Sequence, residues 1–248
     1  MFSIYYLKKN WNSCIIASAM IDNFQQILPS YEDMLLAGVH YGRKKTVRHP
    51  KMDPFIYALK DSIHLINVFK VEEELKKTIE FLKKIKESGG MILWAALSKQ
   101  SESKIVEIAD LLNMPYIKNR WLGGTLTNFK TMQDRIKYYK AMEEKWNNPE
   151  FLEKLTKKEK HEMEKELRSL REKFNGLDRM TRLPNVVFLS SLRSGGLPLR
   201  EAKRLGIKTA AICNTESDPT SVDYIIPAND NAKQSVELIL DTIKKALI

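Results

Sequence analysis

The chain has 248 residues, 43% of them hydrophobic and 29% charged, which is enough apolar material for a packed core and excludes a wholly disordered chain. Its formal net charge of +10 points to a polyanionic partner, either nucleic acid or an anionic membrane surface. The two cysteines, Cys14 and Cys213, lie far apart with no CxxC or Cys/His cluster, which excludes a thiolate zinc site and argues against a disulfide framework.

The first 19 residues carry Lys8 and Lys9, no acid and no arginine. The apolar run after Lys9 is short and broken, unlike that of a secretory signal. An organellar presequence and a true start at Met20 are both open readings, and residues 1–19 are expected outside the fold. No run of eighteen apolar residues occurs anywhere, so no membrane-spanning helix and no membrane partner are expected.

Ser30, with Asp33 three residues on, predicts a capped short helix ending near Gly38. A basic loop follows through Pro50. Phe55–Leu59 and Ile63–Ile66 predict a hairpin around residues 60–62. Leu75, Ile79, Leu82 and Ile85 step at helical spacing within 71–87, and Gly89-Gly90 stops that helix. Met91–Leu97 is a short, nearly continuous apolar run, as a strand buried on both faces requires. A helix from about Ser101 turns Ile105, Ile108 and Leu112 inward, and Pro115–Ile117 predicts a second short strand.

A different kind of segment comes next. Asn128–Trp146 predicts a helix with Phe129, Met132, Ile136, Tyr139, Met142 and Trp146 on one stripe. Thr156 and Glu159 form a capping box for a second helix, whose stripe is Met163, Leu167, Leu170 and Phe174 and which Asn175-Gly176 closes. Two narrow apolar seams joined by a short link predict an antiparallel, coiled-coil-like hairpin at 128–176. Its other faces are almost wholly charged, so it is expected to protrude. Strand and helix then alternate again: Val186–Leu189, Pro198–Leu205, Thr209–Cys213, Tyr224–Ile226 and Ala232–Leu247. This order predicts an α/β domain, residues 20–127 and 177–248, with a parallel sheet between helices.

The positive charge is unevenly spread. Residues 43–51 hold five Lys or Arg and no acid, and residues 118–173 hold 15 against 10 acids. Residues 214–248 hold three against six. The basic face is therefore expected in the first two thirds of the chain.

Catalytic motifs are missing where an α/β enzyme would keep them. The turn after Leu97 reads Ser98-Lys99-Gln100-Ser101, without the glycines of a dinucleotide fingerprint. No GxxxxGK[ST] phosphate loop, GxSxG elbow or Cys/His pair occurs. His161-Glu162 begins like a zinc-protease helix, but Lys165 stands where the second histidine belongs. Gly195-Gly196, with Ser190, Ser191 and Ser194, could approach a phosphate, although a surface loop is the simpler reading. Asp218 before Pro219 reads as turn chemistry, and Asn229-Asp230 as a cap for the last helix.

Two strings are specific. One runs from Gly38 to Met52 (GVHYGRKKTVRHPKM) and the other from Arg120 to Phe129 (RWLGGTLTNF). Both resemble the family of small-subunit ribosomal protein two in its bacterial form. The resemblance extends from about Tyr31 to the C-terminus through Ile63–Asn67, Leu183-Pro184, Glu201-Ala202, Leu205–Ile207, Asp218-Pro219, Ile226-Pro227 and Asn229-Asp230. It implies a flavodoxin-like parallel sheet with the inserted helical hairpin. It also implies a non-catalytic ribosome component with no cofactor, located on a bacterial cytoplasmic ribosome or, alternatively, an organellar one. The partners implied are small-subunit rRNA and neighbouring small-subunit proteins, including the largest one, which captures messenger RNA.

Within that resemblance Arg43, Lys44, Lys45, Arg48 and Lys51 are expected to neutralise phosphates. Tyr41 and His49 are expected to stack on RNA, and Arg120 to fork onto a phosphate. Asn128 is expected to cap the hairpin's first helix and leave its amides to phosphate, with Lys130 adding a cation there. Trp121 is expected to anchor its loop in the core. Four positions depart from the family's pattern. Arg43 stands for a common histidine, Ser191 for an acid, and Asn214 and Glu216 for a common Asp and Asn. A fifth departure, Ala96-Leu97 for Gly-Thr, follows the first parallel strand.

Overall fold

The computed structural model describes residues 27–153 and 155–248. The expectations for residues 1–19 lie outside the described residues.

Helix α1 (Tyr31–Leu36) starts as expected: the Ser30 hydroxyl accepts from the Asp33 amide at 3.1 Å. Three antiparallel strands follow, β1 (Tyr41–Lys44), β2 (Ile56–Lys60) and β3 (Ile63–Ile66), in the order β1-β3-β2. The β2–β3 hairpin turns through Asp61 and Ser62, both at positive φ, the backbone that a two-residue primed turn demands. The basic loop was expected to be irregular, yet its first residues form β1, and Pro50–Phe55 is a 3-10 helix. An edge strand needs only backbone partners, so Tyr41–Lys44 pairs with β3 without alternating apolar side chains.

The main sheet is parallel, built from β4 (Ile92–Ala96), β5 (Tyr116–Lys118), β6 (Val186–Leu189), β7 (Lys208–Cys213) and β8 (Tyr224–Pro227) in the order β5-β4-β6-β7-β8. Counted within the sheet this is 2-1-3-4-5, the flavodoxin-like order, with its reversal between β4 and β6. Strand periodicity sorts the core into two layers. Ile92, Trp94 and Ala96 join α2 (Val68–Glu87), α3 (Lys99–Leu111) and α8 (Lys233–Leu247) on one face. Leu93 and Ala95 point to the other face, with Val187, Leu189, Ala211 and Cys213. Helix α2 begins a turn earlier than expected because Asn67 caps it through the Phe69 amide at 3.1 Å.

Helices α4 (Phe129–Trp146) and α6 (Lys157–Phe174) flank a short α5 (Pro149–Glu153) that the sequence pattern did not suggest. The Thr156/Glu159 capping box is formed. Arg171 bonds Glu143, Lys140 bonds the Asp178 carbonyl and Gln133 bonds the Thr181 carbonyl. The Tyr138 hydroxyl also donates to Glu166 at 2.9 Å, so α4 packs alongside α6 and the segment that follows it. Met132, Ile136, Tyr139, Leu167 and Phe174 share the second core layer with the sheet, so the lower part of this helix pair covers that face. Gly176 closes the pair against β5, where the Tyr116 amide donates to its carbonyl at 2.8 Å. A Cβ on Gly176 would lie 2.3 Å from the Tyr116 carbonyl oxygen. Gly176→Ala is therefore expected to lower stability by about 1–3 kcal/mol through overpacking, measurable as a lower urea midpoint at unchanged m-value.

Among the described residues no helix is long and apolar enough to cross a membrane.

Candidate nucleic-acid interface

The three-stranded sheet and its basic loop dock over the C-terminal ends of β7 and β8. The His49 amide donates to the Thr215 carbonyl at 2.8 Å, and the Asn229 amide to the Val39 carbonyl at 3.1 Å. Gly42 allows the approach: a Cβ there would sit 2.7 Å from the Thr215 methyl.

Arg43 is drawn into this seam. Its backbone amide donates to Thr215 Oγ1 at 2.9 Å. Its Nη2 donates to Glu216 Oε1 and Asn231 Oδ1, both at 2.9 Å, and lies 3.4 Å from Asp230 Oδ1. Asp230 is only 3% exposed. It also accepts from the Ser191 hydroxyl at 2.6 Å and the Asn214 amide at 2.9 Å. A buried carboxylate needs such partners. Arg43, Ser191, Asn214 and Glu216, the four positions expected to depart from the family's pattern, thus meet in one network around Asp230. The guanidinium expected to face phosphate faces the protein's own carboxylates.

The other expected cations differ in what they touch. Lys44 and Lys45 are exposed, and neither forms an ion pair among the described residues. Arg48 pairs with Asp53 at 3.0 Å on the surface. Lys51 bonds Asp218 at 3.1 Å and the Thr220 hydroxyl at 2.8 Å. The Thr220 hydrogen bonds, aided by Lys51, hold the Asp218 carboxyl down at about 2. His49 Nδ1 accepts from the Lys51 amide, starting the 3-10 helix. Tyr41 is half exposed, its ring 4.1 Å from that of His40. His64 is buried.

The RWLGGTLTNF segment wraps around one side chain. Glu201, 6% exposed, projects from α7 (Gly196–Leu205). Its Oε1 accepts from Trp121 Nε1 at 3.0 Å and the Gly124 amide at 2.9 Å. Its Oε2 accepts from the amides of Leu126 and Thr127 at 2.9 and 3.2 Å and lies 3.4 Å from the Thr127 hydroxyl. Burial pushes the carboxyl's pKa up, but these donors outweigh it and hold it below the ordinary glutamate value. Trp121 is buried, as expected of an anchor. Gly124 supplies a φ of +88° at the turn, a conformation open to glycine. Pinning the loop in this way leaves Arg120, Asn128 and Lys130 exposed at its two ends. Asn128 occupies the N-cap position but makes no capping bond, and its Oδ1 accepts instead from the Thr131 hydroxyl at 2.8 Å. Glu201 had been singled out only through the family string. Its one local signal is an acid beside Pro198, Leu199 and Ala202 on a face otherwise apolar.

The strand-end hydroxyls are also engaged within the protein. Ser190 Oγ accepts from the Leu97 amide at 3.0 Å and Ser191 holds Asp230. The expected cap of the last helix by Asn229-Asp230 does not form: the N-cap position is Ala232, without a side-chain capping bond. Asn229 Oδ1 accepts instead from the Asn231 and Ala232 amides just ahead of the helix, and Asp230 turns inward. Among the described residues no three His, Cys, Asp or Glu side chains converge as a metal site.

Comparison with known proteins places these observations. Residues 34–248 match the family model described as ribosomal protein S2. A small ribosomal subunit protein uS2 of Thermus thermophilus is 38% identical over 209 residues, 84% of this chain and 81% of the relative. One from Flavobacterium psychrophilum is 36% identical over 217 residues, covering 88% and 81%. One from Bifidobacterium longum is 37% identical over 215 residues, covering 87% and 76%. The fold, its two family strings and these matches agree: the chain belongs to the ribosomal protein S2 family.

Proposed function

We propose that the chain is a structural, non-catalytic constituent of the small ribosomal subunit, binding small-subunit rRNA and neighbouring small-subunit proteins. The observation that carries this reading is the family match over residues 34–248. Relatives that bear the name small ribosomal subunit protein are bacterial, which supports residence on ribosomes of a bacterial cytoplasm. The exposed Lys44 and Lys45, with Arg120, Asn128 and Lys130 on the pinned loop, are the RNA-facing groups. Tyr41, Arg48, His49 and Lys51 border them. Arg43 supports them from below by fixing β1 to the parallel sheet.

The test is rRNA affinity as a function of salt, alongside co-sedimentation with small subunits. Each cation that neutralises a phosphate adds roughly 0.7–0.9 to the slope of log K against log salt. Lys44→Ala/Lys45→Ala is therefore expected to flatten that slope by about 1.5 while leaving the thermal midpoint unchanged. An unaltered slope would place the RNA face elsewhere. Absence of the wild-type chain from small-subunit fractions at low salt would remove the proposal itself.

A further inference from the structure

The C-terminal ends of β4 and β5 open onto a cleft of about 600 Å3, to which Lys99, Gln100, Glu102, Ser103, Lys118 and Lys233 contribute. Three of these are cations and one is an acid. Lys118 ends β5 and is half-buried. Among the described residues neither Lys99 nor Lys118 has an ion-pair partner, and Lys233 has only Glu237, 3.8 Å away on its own helix. Three ammonium groups gathered at one cleft with a single acid favour an anion arriving from outside. The neutral groups at the cleft, the Gln100 amide and the Ser103 hydroxyl, are hydrogen-bond donors.

The place in the fold points the same way. Lys99 and Lys233 are the first residues of α3 and α8, so two helix N-termini add positive potential beside the lysines. The cleft lies outside the carboxyl ends of the strands, where α/β folds receive ligands. The Arg43 network occupies the ends of β7 and β8, and the lysine cleft lies on the β4–β5 side of this edge. Beyond Lys118 the chain continues through the exposed Asn119 and Arg120, extending the cationic stretch to the pinned loop.

We propose that this cleft holds phosphate groups of the rRNA backbone, as a second contact separate from Lys44 and Lys45; this rests on the reading that the chain binds rRNA. A free nucleotide fits less well. No aromatic ring lines the cleft to receive a base, and the turn after β4 lacks the glycines that let a backbone wrap a terminal phosphate.

The experiment compares the full chain with two triple variants, Lys99→Gln/Lys118→Gln/Lys233→Gln and the same positions changed to Arg. Because Lys118 is half-buried, Lys99→Gln/Lys233→Gln serves as a second neutral variant. Binding to small-subunit rRNA is measured across salt, and thermal shifts are recorded with inorganic phosphate and with a nucleoside triphosphate. The neutral triple variant is expected to flatten the slope by about 2 and to lose at least tenfold in affinity at low salt, the double variant to lose less, and the Arg variant to keep wild-type behaviour. Steep wild-type binding matched by the neutral variants would overturn the cleft and leave the rRNA role standing. Failure of the wild-type chain to bind rRNA would overturn both. Saturable stabilisation by the nucleotide or by phosphate, lost in the neutral triple variant, would overturn the backbone assignment in favour of a small phosphorylated ligand.

Discussion

Glu201→Ala is expected to lower the unfolding free energy by about 3–5 kcal/mol, since one buried carboxylate satisfies several donors that lose their only partner together. For a chain of 248 residues this corresponds to a thermal midpoint lower by roughly 10 °C. Glu201→Gln is expected to do nearly as much harm. Oε1 faces two N–H donors and Oε2 faces two more, so either orientation of the amide sets its NH2 against donors. The pH dependence has a definite sign. The folded pKa of Glu201 lies below the ordinary 4.5, so its stabilisation is fully present above that value and fades as pH falls through the folded value. The gap between wild type and Glu201→Gln in urea midpoints should be constant near neutral pH and narrow only in acid below the glutamate range. A gap that widens in acid would mean that the carboxylate is not the acceptor holding Trp121 and the loop.

Much of the scaffold could be read before folding because its signals are local. Strands β4 and β6 lie in the middle of the parallel sheet, so both faces are covered and the run of apolar residues has no polar alternation to confuse it. Thr156 and Glu159 form their capping box within four residues. Strand β1 was hidden for the opposite reason. Tyr41-Gly-Arg-Lys44 carries no apolar stripe and is held by the β3 backbone and by side chains of the distant β7 end. The same distance misplaced Arg43. Within residues 43–51 it stands among cations without an acid, yet Glu216 and Asp230 meet it from the far end of the chain. A charge run reports composition along the chain, whereas availability to phosphate depends on which acids the fold brings alongside. Lys44 and Lys45, in the same run, have none among the described residues. Glu201 was legible as part of a family string, but its role as the loop's common acceptor depends on four donors that only the packing of α7 assembles.

Arg43 and the adjacent lysines should therefore separate in two measurements. Arg43→Ala removes the guanidinium from Glu216 and from the buried Asp230. Asp230 retains Ser191 and Asn214, so the loss is expected at about 2–3 kcal/mol, below the 3–5 typical when a buried charge loses every partner. A double-mutant cycle with Asp230→Asn should show coupling of about 1–2 kcal/mol; additive effects would mean that Arg43 stabilises the seam through Glu216 and Asn231 alone. The amides of β1 should exchange faster in Arg43→Ala, because the contacts holding that strand over β7 and β8 are weakened. Lys44→Ala/Lys45→Ala should leave exchange and stability unchanged and flatten the salt dependence of rRNA binding, whereas Arg43→Ala should lower stability with little change in that slope. If Arg43→Ala flattens the slope by a full phosphate contact at unchanged stability, the guanidinium leaves its carboxylates when RNA is bound, and the network closes the strand ends only in the free protein.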